Sequence, residues 1–523
     1  MNKTEPKILA ISKNQQCPGI FDPASIASQE SGPVLVLESA DILTKLSEKS
    51  MLLLDLALKI EARNNNIILT KLKPESSLLL ELVAQNFSNY IREHTQDKLV
   101  IHIKPLYDQL DMLAKMRSRS ALDILRSVLN LITLQDSNFA NNFILGGVFS
   151  YDFLDHFEKL PEAKQDILAL PDFLFYLPLT VVIIDHKNQL TSICNHELTN
   201  NINLLNSRAL STKNKIEEAI KSYQKPTRQI IIDNLDPASY IPDLADPVFG
   251  ELVDTCKEHI KAGDVYQIVP SRTFSRPINN IIKSYKILRS LNPSPYMFYV
   301  QTDSWILFGA SPETFIKVDK KGSRLSIRPI AGTRRRGLDP KGLIDEELDS
   351  REQASLCLDE KELAEHMMLV DLARNDIASI SKPNSRRVRR LLGVDRFSHV
   401  MHLVSEVEGI LRPGFDALSA YQASMNMGTL MGAPKVRAAE LLRNLENSKR
   451  GFYGGAVGYI NKLGDMDTSI IIRSAVVKNN QAYVRAGCGV VYDSDRNFEV
   501  RETINKAEAV LKAIDIADIA SKR

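Results

Sequence analysis

The stretch AVGYINKLGDMDTSIIIRSAVVKNNQAYVRAGCGVVY, residues 456–492, decides the fold. Its apolar runs are short, β-branched and broken by glycine and asparagine, so they read as strands over Ala456 to Ile460, Ser469 to Val477 and Gln481 to Tyr492. On both sides the apolar period becomes helical, over Pro434 to Glu446 before it and Glu499 to Ala513 after it. Further out, Pro247 to Ala262 and Glu360 to Ile380 repeat that pattern. Helices covering a sheet through short connections are the economical solution. Up to about residue 220, β-branched runs such as Asn66 to Thr70 and Thr180 to Asp185 mix with helical stretches such as Ala121 to Leu134. The expected fold class is α+β. Between the halves, QKPTRQIIIDNLDPASYIPDLADP (224–247) concentrates Pro, Asp and Asn as a connector would, which divides the chain into regions 1–225 and 247–515. No 20 to 50 residue repeat or low-complexity tract suggests a solenoid or a disordered arm.

A length of 523 residues exceeds what one core ordinarily supports. Subtracting 64 acidic from 66 basic side chains leaves +2, with 44% hydrophobic and 25% charged residues, the balance of an ordinary globular protein. That argues against a global polyanion-binding field. The five cysteines, Cys17, Cys194, Cys256, Cys357 and Cys488, form no C-x-x-C pair, and their odd number argues against a secreted disulfide framework. The N-terminus, MNKTEPKILAISKN, has no apolar signal core, and Phe173 to Ile184 carries Pro178 and is too short to span a bilayer. The expectation is a cytoplasmic protein without a membrane anchor.

Glu362 and Glu365 lie three apart in a helical pattern, and Glu499 and Glu502 repeat the spacing near the C-terminus. Four carboxylates on two facing helices would suit Mg²⁺, a hard ion that takes oxygen ligands and shares its shell with a substrate anion. The ordinary reading of an isolated E-x-x-E is a solvated helix face. Zinc fits less well, because Glu362-x-x-Glu365-His366 lacks the first histidine of H-x-x-E-H.

Four glycine turns recur, at 329–334, 428–435, 452–455 and 486–489. Glycine lets backbone N–H groups approach an anion, and Pro434 fits the first turn of a helix whose N-terminus attracts negative charge. The second turn is no nucleotide P-loop, since G-x-x-x-x-G-K-[ST] fails at its spacing and at the hydroxyl after Lys435. Taken singly, each is ordinarily a tight turn. Arg473, within the apolar run Ser469 to Arg473, needs an anion, either a ligand or a structural ion pair. His402, Gln267 and Glu313 complete the polar candidates, His402 because its pKa suits proton transfer.

PIAGTRRRG (329–337), EKELAEHMMLVDLARND (360–376), HVMHLVSEVEG (399–409), MNMGTLMGAPKVRA (425–438), GFYGGAVGY (451–459) and AGCGVVYDS (486–494) together resemble the chorismate-utilising enzymes. VLVLESADI (34–42) and NPSPYMFY (292–299) extend the likeness to the anthranilate synthase component I family. The resemblance implies largely antiparallel sheets packed with helices, with an N-terminal regulatory part and a C-terminal catalytic part. It implies Mg²⁺ held chiefly by Glu365 and Glu502, with Glu362 and Glu499 as partners, and bridging to the ring carboxylate of chorismate. Gly332, Thr333, Tyr453, Arg473 and the backbone of Gly487, Cys488 and Gly489 match substrate-binding positions, with Arg473 on the enolpyruvyl carboxylate and Lys435 a further anion contact. Glu313 matches the acid that helps the C4 hydroxyl leave, and His402 a catalytic histidine. Glu38, Ser39, Asn292, Pro295, Tyr296, Met297 and Ser469 match a pocket for L-tryptophan as feedback inhibitor.

Two positions discriminate within the resemblance. Relatives that add water at C2 carry a lysine base where Gln267 stands, and ammonia, already nucleophilic when neutral, needs no such base. The 4-amino-4-deoxychorismate synthases carry a nucleophilic lysine where Ala331 stands. The implied reaction joins ammonia to chorismate and releases pyruvate and anthranilate, the first step of tryptophan biosynthesis. No G-x-C-x-G turn supplies a glutaminase, so a separate glutamine amidotransferase subunit is expected, paired in a heterotetramer. Three positions depart from the pattern: Met431 in place of serine, Cys488 in place of alanine, and Ser469 where some relatives have cysteine. A competing reading takes Arg386, Arg387, Arg389 and Arg390, with Arg334 to Arg336, as a nucleic-acid surface, although one run in a near-neutral chain is ordinarily a solvated face. The partners expected are therefore small molecules and one protein subunit, with no nucleic acid and no membrane.

Overall fold

The structure is a computed structural model of the full chain and describes residues 7–40, 47–105, 112–224, 240–339, 343–396 and 400–522. Most of the expected connector, residues 225–239, lies outside the described residues, as do Asp41 and Ile42 of the 34–42 motif. In the stretch that decides the fold, the strands run Ala456–Asn461, Met466–Ile470, Ser474–Lys478 and Gln481–Gly487. The last two form a hairpin in which Lys478 faces Gln481 across a two-residue loop. Asn479 and Asn480 sit there at φ +53° and +58°, the left-handed pair such a loop requires. The expected strand Ser469 to Val477 is two strands, because the backbone turns at Arg473, whose φ is +51°. Nothing in the run Ile470-Ile471-Ile472 signals that break.

These strands belong to a hydrogen-bonded network of 23 strands. The described pairings are antiparallel apart from Ile8–Pro18 with Ile132–Leu134. Two pairings cross between the expected halves. Ile144–Phe149 pairs with Ala456–Asn461, and Val34–Ala40 pairs with Tyr296–Gln301. The sequence division into two regions therefore does not correspond to two separate sheets. Phe173–Asp185, the most apolar stretch, is a strand whose register shifts beside Pro178, the kind of irregularity at which proline is tolerated. Among the described residues no helix is long and apolar enough to cross a membrane.

The helices that bear on the site are Asp246–Lys261, Ile281–Leu291, Glu360–Ile380, Lys435–Leu445 and Arg496–Lys522. Asp359 caps the third by accepting from the backbone N–H of Glu362 at 3.1 Å, which starts the helix where its acidic face is needed. An aromatic column joins the halves. Phe149 stacks on Tyr421 at 4.0 Å between ring centroids, Tyr421 on Phe315 at 5.0 Å, and Phe149 on Phe153 at 5.7 Å, all fully buried. Truncating Phe149→Ala should destabilise the protein by about 3–5 kcal/mol. Urea titration followed by circular dichroism should show one shifted transition rather than early melting of the N-terminal half.

Candidate active site

Glu313 lies in the turn between strands Ile306–Ser311 and Thr314–Asp319, and its carbonyl accepts from the N–H of Ile470 at 3.0 Å. Burial pushes its carboxyl up to about 8, opposed by Thr429 and by the Lys506 ammonium. The Thr429 hydroxyl is buried and makes no other hydrogen bond among the described residues. A carboxyl in this condition carries a proton at neutral pH and is placed to donate it.

The Asp359 cap sets Glu362 in the first turn of its helix and Glu365 in the next. Glu362 accepts from Arg334 at 3.2 Å. Its other oxygen lies 3.1 Å from where a Cβ on Gly332 would stand. Gly332 itself has φ +73° in a bulge between Ala331 and Thr333, so glycine there answers both a left-handed backbone and a close neighbour. The Thr333 backbone pairs with His402, whose Nδ1 bonds the Gly332 carbonyl at 3.2 Å. A carbonyl only accepts, so Nδ1 carries the proton and Nε2 is the basic nitrogen. Burial lowers the His402 pKa, the Gly332 carbonyl opposes this and the Arg473 charge adds to it, so the ring is neutral at pH 7.

Glu365 is raised by burial first; Lys361 opposes this, while the charges of Glu362, Glu499 and Asp359 add to it. Glu499, in the first turn of the final helix, is also raised by burial, although it accepts from Ser494 at 2.8 Å. Glu502 pairs with Lys506 at 3.3 Å. Among the described residues no three acidic, histidine or cysteine side chains are gathered closely enough to cage a metal ion. Glu362, Glu499 and Glu502 each have a protein partner of their own, and the Glu499 charge reaches Glu365 from the other helix. The donor set nevertheless suits Mg²⁺. It is all oxygen, Glu365 feels three other carboxylates, and that ion binds through one or two carboxylates plus water and substrate rather than in an all-protein cage.

Arg473 is half-buried, and among the described residues no carboxylate pairs with it. Its described side-chain bond runs from Nη1 to the Lys506 carbonyl at 3.2 Å. Burial lowers its pKa against the pull of Glu502 and Tyr453. Of the two partners open to it on sequence grounds, the structural ion pair is thus not formed. The Tyr453 hydroxyl lies 3.0 Å from where a Cβ on Gly487 would stand, which places it against the 487–489 turn. Burial pushes that phenol up to about 12. Cys488 is buried behind the turn, raised by burial and by Glu499. The Gln267 amide nitrogen lies 2.8 Å from a would-be Cβ on Gly489, and its buried oxygen has no hydrogen-bond partner among the described residues.

The Lys435 ammonium is held by Asp376 at 2.6 Å and by the Ser424 carbonyl at 3.1 Å, which ties two helices together. Lys506, which sequence reasoning passed over, also reaches the site. It donates to the Gly487 carbonyl at 3.1 Å, pairs with Glu502 and bears on Glu313. Its i,i+4 spacing from Glu502 was the available signal. The basic runs are largely spoken for, since Arg387 pairs with Glu408, Arg390 with Asp395, Arg334 with Asp359 and Arg336 with Asp349.

This gathering of a protonated acid, a neutral histidine, an uncompensated guanidinium and glycine turns lies within residues 76–512, which match the family described as chorismate binding enzyme. The chain belongs to that family. This chorismate binding enzyme is 44% identical over 483 residues to anthranilate synthase component 1 of Vibrio cholerae serotype O1, covering 92% of this chain and 91% of that protein. It is 42% identical over 512 residues to anthranilate synthase component 1 of Escherichia coli K12, covering 97% of each. The crystal structure of anthranilate synthase component I from Streptococcus pneumoniae TIGR4 superposes with a TM-score of 0.70 at 30% identity, covering 89% of this chain and 92% of that one. The menaquinone-specific isochorismate synthase of Escherichia coli, at 17% identity and a TM-score of 0.65, shares the fold.

In this chorismate binding enzyme the residues expected to sense an inhibitor also come together. Glu38 faces Met297 across paired strands. Asn292 caps the helix leading to Pro295 and Tyr296. The Tyr296 hydroxyl donates to Asp467 at 2.9 Å and contacts Thr314, whose strand partner is Ser469. The Ser469 hydroxyl is buried without a partner, and Ser39 accepts from the Lys49 N–H at 3.3 Å. Glu38 is already engaged, accepting from Arg289 at 2.8 and 2.9 Å, from Ser50 at 3.0 Å and from the Tyr285 hydroxyl.

Infrared difference spectra recorded across pH 6–10 should contain a carboxyl titration near 8 that Glu313→Gln removes. A Glu313 midpoint in the ordinary carboxylate range, near 4, would contradict its burial.

Proposed function

We propose that this chain is the chorismate-consuming subunit of an anthranilate synthase, adding ammonia at C2 of chorismate with loss of the 4-hydroxyl and then releasing pyruvate and anthranilate. The observation that carries this reading is the pairing of a protonated acid, Glu313, with an uncharged amide, Gln267, where water addition would need a base. The curated relatives, matched over nearly their whole length, support it.

Arg473 and Tyr453 would hold the enolpyruvyl carboxylate, and the Gly487 and Gly489 N–H groups would meet the other carboxylate, the Cys488 N–H being held by the Pro270 carbonyl at 3.1 Å. Glu313 gives its proton to the departing C4 oxygen, a task for which a pKa near 8 leaves it charged with a proton at neutral pH. The unpartnered Gln267 oxygen accepts a hydrogen bond from the entering amine. His402, with Nδ1 fixed on the Gly332 carbonyl, presents Nε2 as the proton acceptor. Mg²⁺, held by Glu365 and Glu502 with Glu362 and Glu499 alongside, would neutralise the ring carboxylate. Ammonia would come from a separate glutamine amidotransferase subunit in a heterotetramer, and L-tryptophan, bound among Glu38, Ser39, Asn292, Pro295, Tyr296, Met297 and Ser469, would inhibit. A tryptophan ammonium reaching Glu38 would have to share it with Arg289.

Purified protein given chorismate, Mg²⁺ and ammonium should generate anthranilate fluorescence that chelation removes and tryptophan lowers, while glutamine alone gives none. At constant free ammonia, the rate should fall as pH rises through about 8, because Glu313 works in its protonated form and loses it there. Glu313→Gln should lower kcat by about 10²–10⁴. Chorismate consumed without anthranilate would instead point to 4-amino-4-deoxychorismate synthesis.

A further inference from the structure

None of the substrate contacts above uses Glu446 or Arg450, yet both are buried side chains bearing full charges. Arg450 places its nitrogens on three segments. Nε and Nη2 donate to Glu446 at 2.8 and 2.6 Å, Nη2 also to the Val269 carbonyl at 2.6 Å, and Nη1 to the Leu430 carbonyl at 2.6 Å. Its guanidinium carbon lies 4.6 Å from the Tyr151 ring centroid and 5.9 Å from that of Tyr453. Glu446 accepts in addition from the N–H and hydroxyl of Ser271, at 2.9 and 2.7 Å, and from Arg485 at 2.9 Å. Burial alone would raise the Glu446 carboxyl, but the two guanidiniums hold it below its usual range.

Each anchored point belongs to a different part of the site. Val269 follows Gln267 by two residues, and Leu430 follows Thr429, which faces Glu313. Ser271 pairs across the sheet with Gly487, and Tyr453 is the proposed carboxylate contact. A buried ion pair is weak evidence for stability in itself, since well-packed apolar side chains do as well. What this pair supplies is reach, because one planar guanidinium fixes two carbonyls, a carboxylate and a ring at once, which a lysine ammonium cannot.

We propose that Glu446 and Arg450 are positioning residues that set the distances between Gln267, Thr429, Tyr453 and the Gly487 turn. The kinetic half of the test rests on the chorismate reading; the spectroscopic half does not. The variants are Arg450→Lys and Glu446→Gln in the full chain, with Arg208→Lys as control, since Arg208 is equally engaged by Glu75 and Glu197 far from the site.

Folded Arg450→Lys should raise KM for chorismate about tenfold and lower kcat/KM about 100-fold. Arg208→Lys, with a comparable fall in melting temperature, should keep both within about twofold. The Glu313 infrared titration should move away from that of the unaltered protein in Arg450→Lys and stay in place in the control. Unchanged kinetics and an unchanged Glu313 midpoint in a folded Arg450 or Glu446 variant would overturn the proposal, as would failure of both variants to fold, which would make the pair a requirement of the fold alone. If unaltered protein leaves chorismate untouched, the functional reading falls, and the Glu313 midpoint decides the positioning role by itself.

Discussion

Backbone hydrogen bonds between Ile144–Phe149 and Ala456–Asn461, and between Val34–Ala40 and Tyr296–Gln301, join segments far apart in the chain. A buried strand must satisfy its N–H and C=O groups, and here each strand pairs on one edge within its own half and on the other edge with the opposite half. The aromatic column through Phe149, Tyr421 and Phe315 follows from that pairing, and the strand break at Arg473 and the turn at Glu313 are reached through the same sheet.

Within this frame, burial acts on each ionisable group according to its charge type. It pushes Glu313 towards its protonated form and His402 towards its neutral form, and it strains the charge on Arg473. The result is a site with a neutral acid, a neutral base and one cation that no carboxylate among the described residues pairs with. Those are the states a small dianionic substrate would meet usefully, since two carboxylates could supply the compensation the guanidinium lacks. The carboxylates on Glu360–Ile380 and Arg496–Lys522 bring the opposite charge to the neighbouring wall, where oxygen ligands suit a hard cation.

Much of this was legible in residue order. Glu360–Ile380 has the expected bounds because its apolar period and its Asp359 cap agree. Glu313, His402 and Gln267 stand out as polar residues beside glycine turns and apolar strands. What was not legible depends on tertiary placement. The backbone break at Arg473 leaves no mark in a run of isoleucines. The capture of Lys435 by Asp376 and the arrival of Lys506 at Gly487 depend on how helices dock. The spacing of Glu446 and Arg450 looks like any surface i,i+4 pair until the fold buries it. The matched spacing of the four glutamates fixes a face on each helix, and which of their oxygens meet depends on how the helices dock.

The left-handed backbone at Arg473 has a consequence for how this position can change. An L-residue other than glycine held there costs on the order of 1–2 kcal/mol. Glycine would remove that cost together with the guanidinium. Selection for a robust fold and selection for the anion binding proposed for Arg473 would therefore pull in opposite directions. A screen for thermal tolerance alone would drift towards losing the side chain proposed to meet the substrate's carboxylate.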